Sequence, residues 1–241
     1  LDVELEIHIA HDIDSLFNQL NYSDIDLVAH GLTITSERKK EVTFTDYLYY
    51  TNQVLVQRQP DDWRTMKWSK LQSRLIHDAI ELIGDTVSVR KNSAYLHRLK
   101  NLSREIGGTI VIDTLEGNLS TDEIIEMVVD KKIKFTVADK NIASINKSYY
   151  PILNIKVPIS FSQRIAWAVN SNSINLLKAA NDWLKEIKDE VDYYVIYNKY
   201  FKNSRSIRKR VKSDFFSLNK NQISKYDKLI KKHAAKINWD W

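Results

Sequence analysis

The residues best suited to chemistry lie in Gly31–Tyr50, GLTITSERKKEVTFTDYLYY. Arg38 is the natural anion clamp of this stretch, because a planar guanidinium meets a carboxylate with two parallel hydrogen bonds. Thr33 and Thr35 occupy alternate positions of an extended segment, so their hydroxyls point the same way. Gly31 bounds a short apolar run, Ile25–Ala29, which reads as a strand. Ser36 is the expected N-cap of a polar turn through Glu37–Lys40. Taken alone, an arginine in a Glu-Arg-Lys-Lys run is commonly a solvated surface charge. A second anion site is expected where a helix opens after Thr86–Val89, with Asn92 or Ser93 as its cap. His8 and His11 have no third ligand at zinc-site spacing and read as surface residues, so no metal site is expected.

Placing these groups requires an alternation of strands and helices. Leu1–Ala10 alternates apolar and polar residues and predicts a half-buried strand, followed by a helix over Asp12–Leu20 and the strand Ile25–Ala29. Strand, helix and strand within so short a span predict a βαβ unit and a parallel sheet. Further strands are expected at Gln53–Arg58, Thr86–Val89, Thr109–Ile112, Lys134–Ala138 and Ile165–Val169. Helices are expected at Lys67–Leu82, Tyr95–Ile106, Asn175–Ile187 and Tyr193–Phe201. Ser120–Val129 is a further helix, opened by a capping box of Ser120 and Glu123. Asp139 closes the strand before it and stands where it would cap a helix over Asn141–Ile145.

Of the 241 residues, 43% are hydrophobic and 28% charged, which suits one or two globular domains with a substantial core. Cysteine is absent, which excludes disulfides and thiolate metal sites. The formal charge of +5 is uneven: residues 198–241 carry thirteen Lys or Arg against three Asp, leaving about −5 for the rest. A neutral-to-acidic body therefore carries a basic tail, including SRSIRKRVKS at 204–213.

The order Asp-hydrophobic-x-x-x-Gly-x-Thr-Ile-Thr-x-Glu-Arg, then Phe-Thr-x-x-Tyr, resembles the signature of the family 3 extracellular solute-binding proteins, the periplasmic amino-acid receptors. The resemblance implies a two-lobed, type 2 periplasmic-binding-protein-like α/β fold with two hinge crossings. Lobe 1 would comprise residues 1–51 and 158–201, and lobe 2 residues 52–157. It implies that Arg38 holds a ligand α-carboxylate and that Asp139 pairs with its ammonium, with Gly31, Thr33 and Ser93 lining the same cleft. The turn that usually reads Gly-Ser/Thr-Ser/Thr is here Asn92-Ser93-Ala94, which keeps one hydroxyl. No cofactor is expected.

The last forty residues extend beyond a plain receptor of this family. Ile223, Tyr226, Leu229, Ile230, His233, Ala234 and Ile237 recur at helical spacing. They resemble the opening helix of a lysozyme-like transglycosylase domain, and the whole layout resembles the membrane-bound lytic transglycosylases. Residues 202–241 are then a basic linker and the start of that domain, and the expected catalytic Glu in its Glu-Ser-x-Phe context would lie past Trp241. The chain is thus expected to be a piece cut at both ends, short of the first strand of lobe 1, and itself without transglycosylase activity. Its expected ligand is a peptidoglycan stem peptide or an amino acid, and its expected place the periplasm, attached to the outer membrane in a longer parent. The alternatives are an amino-acid receptor of a transport system, or nucleic-acid binding through the basic tail. A basic linker near anionic lipid or wall polymer is the favoured reading of that tail, and no nucleic-acid motif is present.

Overall fold

The structure, a computed structural model, describes residues 6–8, 13–22, 24–117, 119–202, 232–234 and 236. Chain order gives α1 (Ile13–Asn21), β1 (Leu27–Thr33), β2 (Thr43–Phe44), β3 (Tyr49–Thr51), β4 (Gln53–Arg58), α2 (Trp68–Gln72), β5 (Thr86–Arg90), α3 (Ala94–Glu105), β6 (Val111–Leu115), α4 (Thr121–Val129), β7 (Phe135–Asp139), α5 (Lys140–Tyr149), β8 (Leu153–Asn154), β9 (Gln163–Val169), α6 (Ile174–Asp189) and α7 (Val191–Tyr197).

The strands fall into two groups, giving a two-lobed, mixed α/β fold. In the first group β9 is central, and β1, β2 and β3 all pair with it antiparallel. Leu16, Phe17 and Leu20 of α1 close over Val28, Leu32 and Ala168 of this sheet and over Val42 just before β2. In the second group β4 is buried on both faces along nearly its whole length, and such a strand must be covered on both sides. It pairs antiparallel with β7, Gln53 opposite Asp139 and Leu55 opposite Val137. Leu55, Phe135 and Val137 face Val87, Val89, Leu99 and Leu102 of β5 and α3. On the reverse face Val54, Val56 and Ala138 meet Ile125 and Val128 of α4 and Ala143 of α5.

The chain passes between the groups twice, at Thr51–Gln53 and again near Ser160–Gln163. The two passages are tied together: Gln53 N donates to Ser160 Oγ at 2.9 Å, and Ile159 N donates to Gln53 O at 2.8 Å. Asn141 adds a strut from α5, donating from Nδ2 to Tyr49 Oη at 3.2 Å and accepting from Thr51 Oγ1 at 3.3 Å.

Two local expectations are corrected. Lys67–Leu82 is not one helix: α2 ends at Gln72 and a 3-10 turn occupies Ala79–Leu82. The buried side chain of Gln57 breaks it by taking both backbone groups of Ile76, donating to its carbonyl at 2.7 Å and accepting from its N–H at 2.9 Å. Ser36 does not cap the turn at Arg38–Lys40; Thr35 does, its Oγ1 accepting from Arg38 N at 3.3 Å. The strand at Leu1–Ala10 lies mostly outside the described residues, and residues 6–8 are irregular with Ile7 78% exposed. The parallel pair expected from the first βαβ unit involves the strand at Leu1–Ala10 and so lies outside the described residues; β1 pairs antiparallel with β9, and among the described residues the parallel pair is β5–β6. The basic run and nearly all of the C-terminal helix expected beyond Lys202 lie outside the described residues.

Candidate functional site

The carboxyl end of β1 and the turn after it form one wall of a cleft. Thr33, 5% exposed, ends the strand, and its carbonyl accepts from Arg38 Nη1 at 3.0 Å. The guanidinium also lies 5.7 Å from the centroid of the Phe17 ring, a cation–π contact. Arg38 is thereby held against its own strand and oriented before any ligand arrives. Gly31 serves a steric need: a Cβ there would stand 2.9 Å from Tyr49 Oη and 3.2 Å from Ile165 Cγ2.

The facing wall is built by the openings of three helices. Ser93 caps α3, Ser120 caps α4 with the complete capping box expected, and Asp139 is the N-cap residue of α5. The openings of all three helices line the same space, and a helix start presents the positive end of its dipole there. Ser93 uses its hydroxyl for the fold, donating to Arg90 O at 2.7 Å and accepting from Leu96 N at 3.3 Å. Asp139 makes no side-chain cap bond, so the capping expectation for it is not met.

All five residues singled out in the sequence, Gly31, Thr33, Arg38, Ser93 and Asp139, line a single cavity of about 190 Å3. That is below the ~300–1,000 Å3 of drug-sized sites and suits a ligand near the size of one amino acid. A wider hollow of about 460 Å3 adjoins it at Thr33 and Ala94, rimmed by Ser36, His97, Lys100 and Arg104. Sequence reasoning missed His30, Tyr95, Thr121 and Asp122, which also line the inner cavity. Tyr95 and Thr121 could have been found, since each follows a predictable cap by one or two positions.

The charges are unequal in their surroundings. Burial pushes the Asp139 carboxyl up to about 6, against the opposing pull of the Tyr95 hydroxyl and the Arg38 charge. Its Oδ1 is buried with no hydrogen-bond partner. Tyr49 is pushed up to about 12, first by burial and then by Asp139, and Tyr95 is raised strongly for the same two reasons. His30 is lowered by burial and by the charges of Arg38 and Arg90, so it is neutral at neutral pH. Among the described residues no group of three or more His, Cys, Asp or Glu could hold a metal ion, and no helix is long and apolar enough to cross a membrane.

Residues 1–203 match the family described as bacterial extracellular solute-binding proteins, family 3. This chain belongs to the family 3 solute-binding proteins. Its solved neighbours include an ancestral arginine-binding protein bound to arginine, 25% identical with a TM-score of 0.64 over 79% of this chain and 77% of that one. A mutant of the arginine-binding protein of T. maritima is 27% identical with a TM-score of 0.65, over 83% of this chain and 79% of that one. The curated relatives have a longer architecture. The membrane-bound lytic murein transglycosylase F of Desulfosudis oleivorans is 30% identical over all of this chain, which covers 50% of it. That of Photobacterium profundum is 26% identical over 99% of this chain, which covers 44% of it. This solute-binding chain thus spans about half the length of the curated relatives it matches.

Proposed function

We propose that this chain is the ligand-sensing module of a peptidoglycan lytic transglycosylase, and that its cleft takes the zwitterionic head of an amino acid or of a stem peptide. Arg38 binds the α-carboxylate, Asp139 binds the ammonium, and Thr33 and the helix openings at Ser93 and Ser120 supply hydrogen bonds around them. One observation carries this reading: a pre-oriented guanidinium and a buried carboxylate with an unpartnered oxygen line the same amino-acid-sized cavity. Arginine and glutamine occupy related ancestral proteins, which makes them the first probes. The adjoining polar hollow offers room for the rest of a muropeptide.

The proposed units are lobe 1 at 1–51 and 158–201, lobe 2 at 52–157, and a linker with the start of a transglycosylase domain at 202–241. In the longer parent, which would act on the periplasmic face of the wall near the outer membrane, lobe closure on ligand biases the attached enzyme. Such coupling requires the ligand to prefer one of two states. The likeness of this chain to transglycosylase F relatives along its whole length favours sensing over the second reading, an amino-acid receptor of a transport system.

The test is calorimetric titration with L-arginine, L-glutamine and a tetrapeptide muropeptide, wild type beside Arg38→Ala, followed by wall digestion by the full-length parent with and without the bound ligand. Binding lost in Arg38→Ala and a ligand-dependent digestion rate are expected. Binding with no change in rate would leave the transport reading, and Arg38-independent binding would remove the site.

A further inference from the structure

Opposite Asp139 in the β4–β7 ladder a second buried polar side chain has no partner. Gln53 is fully buried, at 0% exposure, and neither its Nε2 nor its Oε1 makes a hydrogen bond. Burying an amide in that state is costly, and native interiors rarely leave one so. Gln53 stands directly opposite Asp139 in the β4–β7 ladder, where paired Cβ atoms are about 4.5–5.5 Å apart. The next pair along, Leu55 and Val137, share one core cluster, so the side chains of Gln53 and Asp139 project from that same face. The unpartnered Oδ1 of Asp139 and the unpartnered amide of Gln53 are therefore neighbours.

We propose that Gln53 is the positioning residue of the cleft: its side-chain N–H donates to the inner oxygen of Asp139 when that carboxylate is ionised, leaving the outer oxygen for a ligand cation. The backbone of Gln53 is pinned by Ser160 and Ile159, so only side-chain torsions need to move. Among the described residues, Tyr95 from α3, Tyr49 from β3 and Arg38 from the turn after β1 interact electrostatically with Asp139, and His30, Arg90 and Asp122 line the same cavity. Tyr95 Oη already accepts from the Asp139 backbone N–H at 3.4 Å, which restrains the residue but leaves Oδ1 unmatched. Gln53 supplies the missing donor. Because the backbone of the same residue ties the two interlobe passages together, the charge state of the site and the geometry of the hinge meet in one residue.

The consequence for binding rests on the cleft reading above, but the amide–carboxylate contact is testable without ligand. Carboxyl 13C NMR of Asp139 through pH 4 to 9 is compared between the wild type and Gln53→Met, which keeps length and removes the donor. The midpoint is expected to rise by about one pH unit, a tenfold tighter hold on the proton. An unchanged midpoint in a folded variant overturns the proposal. If Gln53→Met does not fold, the side-chain amide 15N resonance of Gln53 in the wild type decides. It is expected to titrate with the Asp139 midpoint and to become pH-independent in Asp139→Asn; a resonance that ignores pH in the wild type overturns it. A shifted midpoint in a chain that binds no amino acid would retain this inference and discard the ligand reading. Arg38-dependent binding with no shift would do the reverse.

Discussion

The two walls of the cleft solve opposite problems. On the first, Arg38 is a half-exposed charge given a carbonyl, a ring face and a short turn that hold it in place. On the second, Asp139 is driven into the interior and left with an unpartnered oxygen. An arginine that is already satisfied costs little to keep oriented. A buried acid with too few partners costs stability until a cation arrives. The contrast teaches that the selective half of this site is the acidic one, because only there does ligand replace a missing interaction rather than compete with an existing one.

Breaking the first wall gives the largest effect. Arg38→Ala is expected to weaken binding of the best amino-acid ligand by about 30-fold or more in calorimetry, the order found when one partner of a desolvated charge pair is removed. Breaking the second wall changes sign with the readout. With its folded pKa raised to about 6, Asp139 keeps its proton more tightly when folded than when unfolded. Apo stability should therefore fall as pH rises from about 4 to about 6 and stay lower above that. Asp139→Asn should abolish this decline and raise apo stability at neutral pH by on the order of 2 kcal/mol in urea titrations, while losing ligand. In the wild type, affinity for a ligand ammonium should strengthen as pH rises through about 6.

Two further changes sharpen the comparison by leaving the walls' charges alone. Gln57→Leu strands both backbone groups of Ile76 and should cost about 2 kcal/mol of stability with ligand affinity within about twofold of wild type. Ser93→Ala removes the α3 cap and should cost about 1 kcal/mol, read as a fall in Tm. A much larger loss of affinity than of stability in Ser93→Ala would show that the hydroxyl also serves the ligand.

The first wall was legible in the sequence because its residues are adjacent: Gly31, Thr33 and Arg38 fall within one short motif. The capping box at Ser120–Glu123 and the strand at Gln53–Arg58 were legible for the same reason. What escaped was long-range. Gln57 breaks the expected helix at Ile76 from nineteen residues away, and no local pattern signals that a buried amide will claim a distant backbone. Thr35 takes the cap expected of Ser36 because both are good caps and only the turn's register chooses between them. The pairing of β1 with β9 depends on residues well over a hundred positions apart. Gln53 looked like one more residue of a strand, and its role emerges only from the ladder that sets it opposite Asp139.

The central claim is that the two walls divide one zwitterion between them. The most direct measurement is calorimetric titration, at pH 7.5, of the amino acid that binds best, beside its decarboxylated amine and its α-N-acetyl derivative. The account predicts that the parent amino acid binds and that removing either charged group costs at least about 30-fold. Equal affinity for the amine would contradict the role of Arg38, and equal affinity for the acetylated form would contradict that of Asp139.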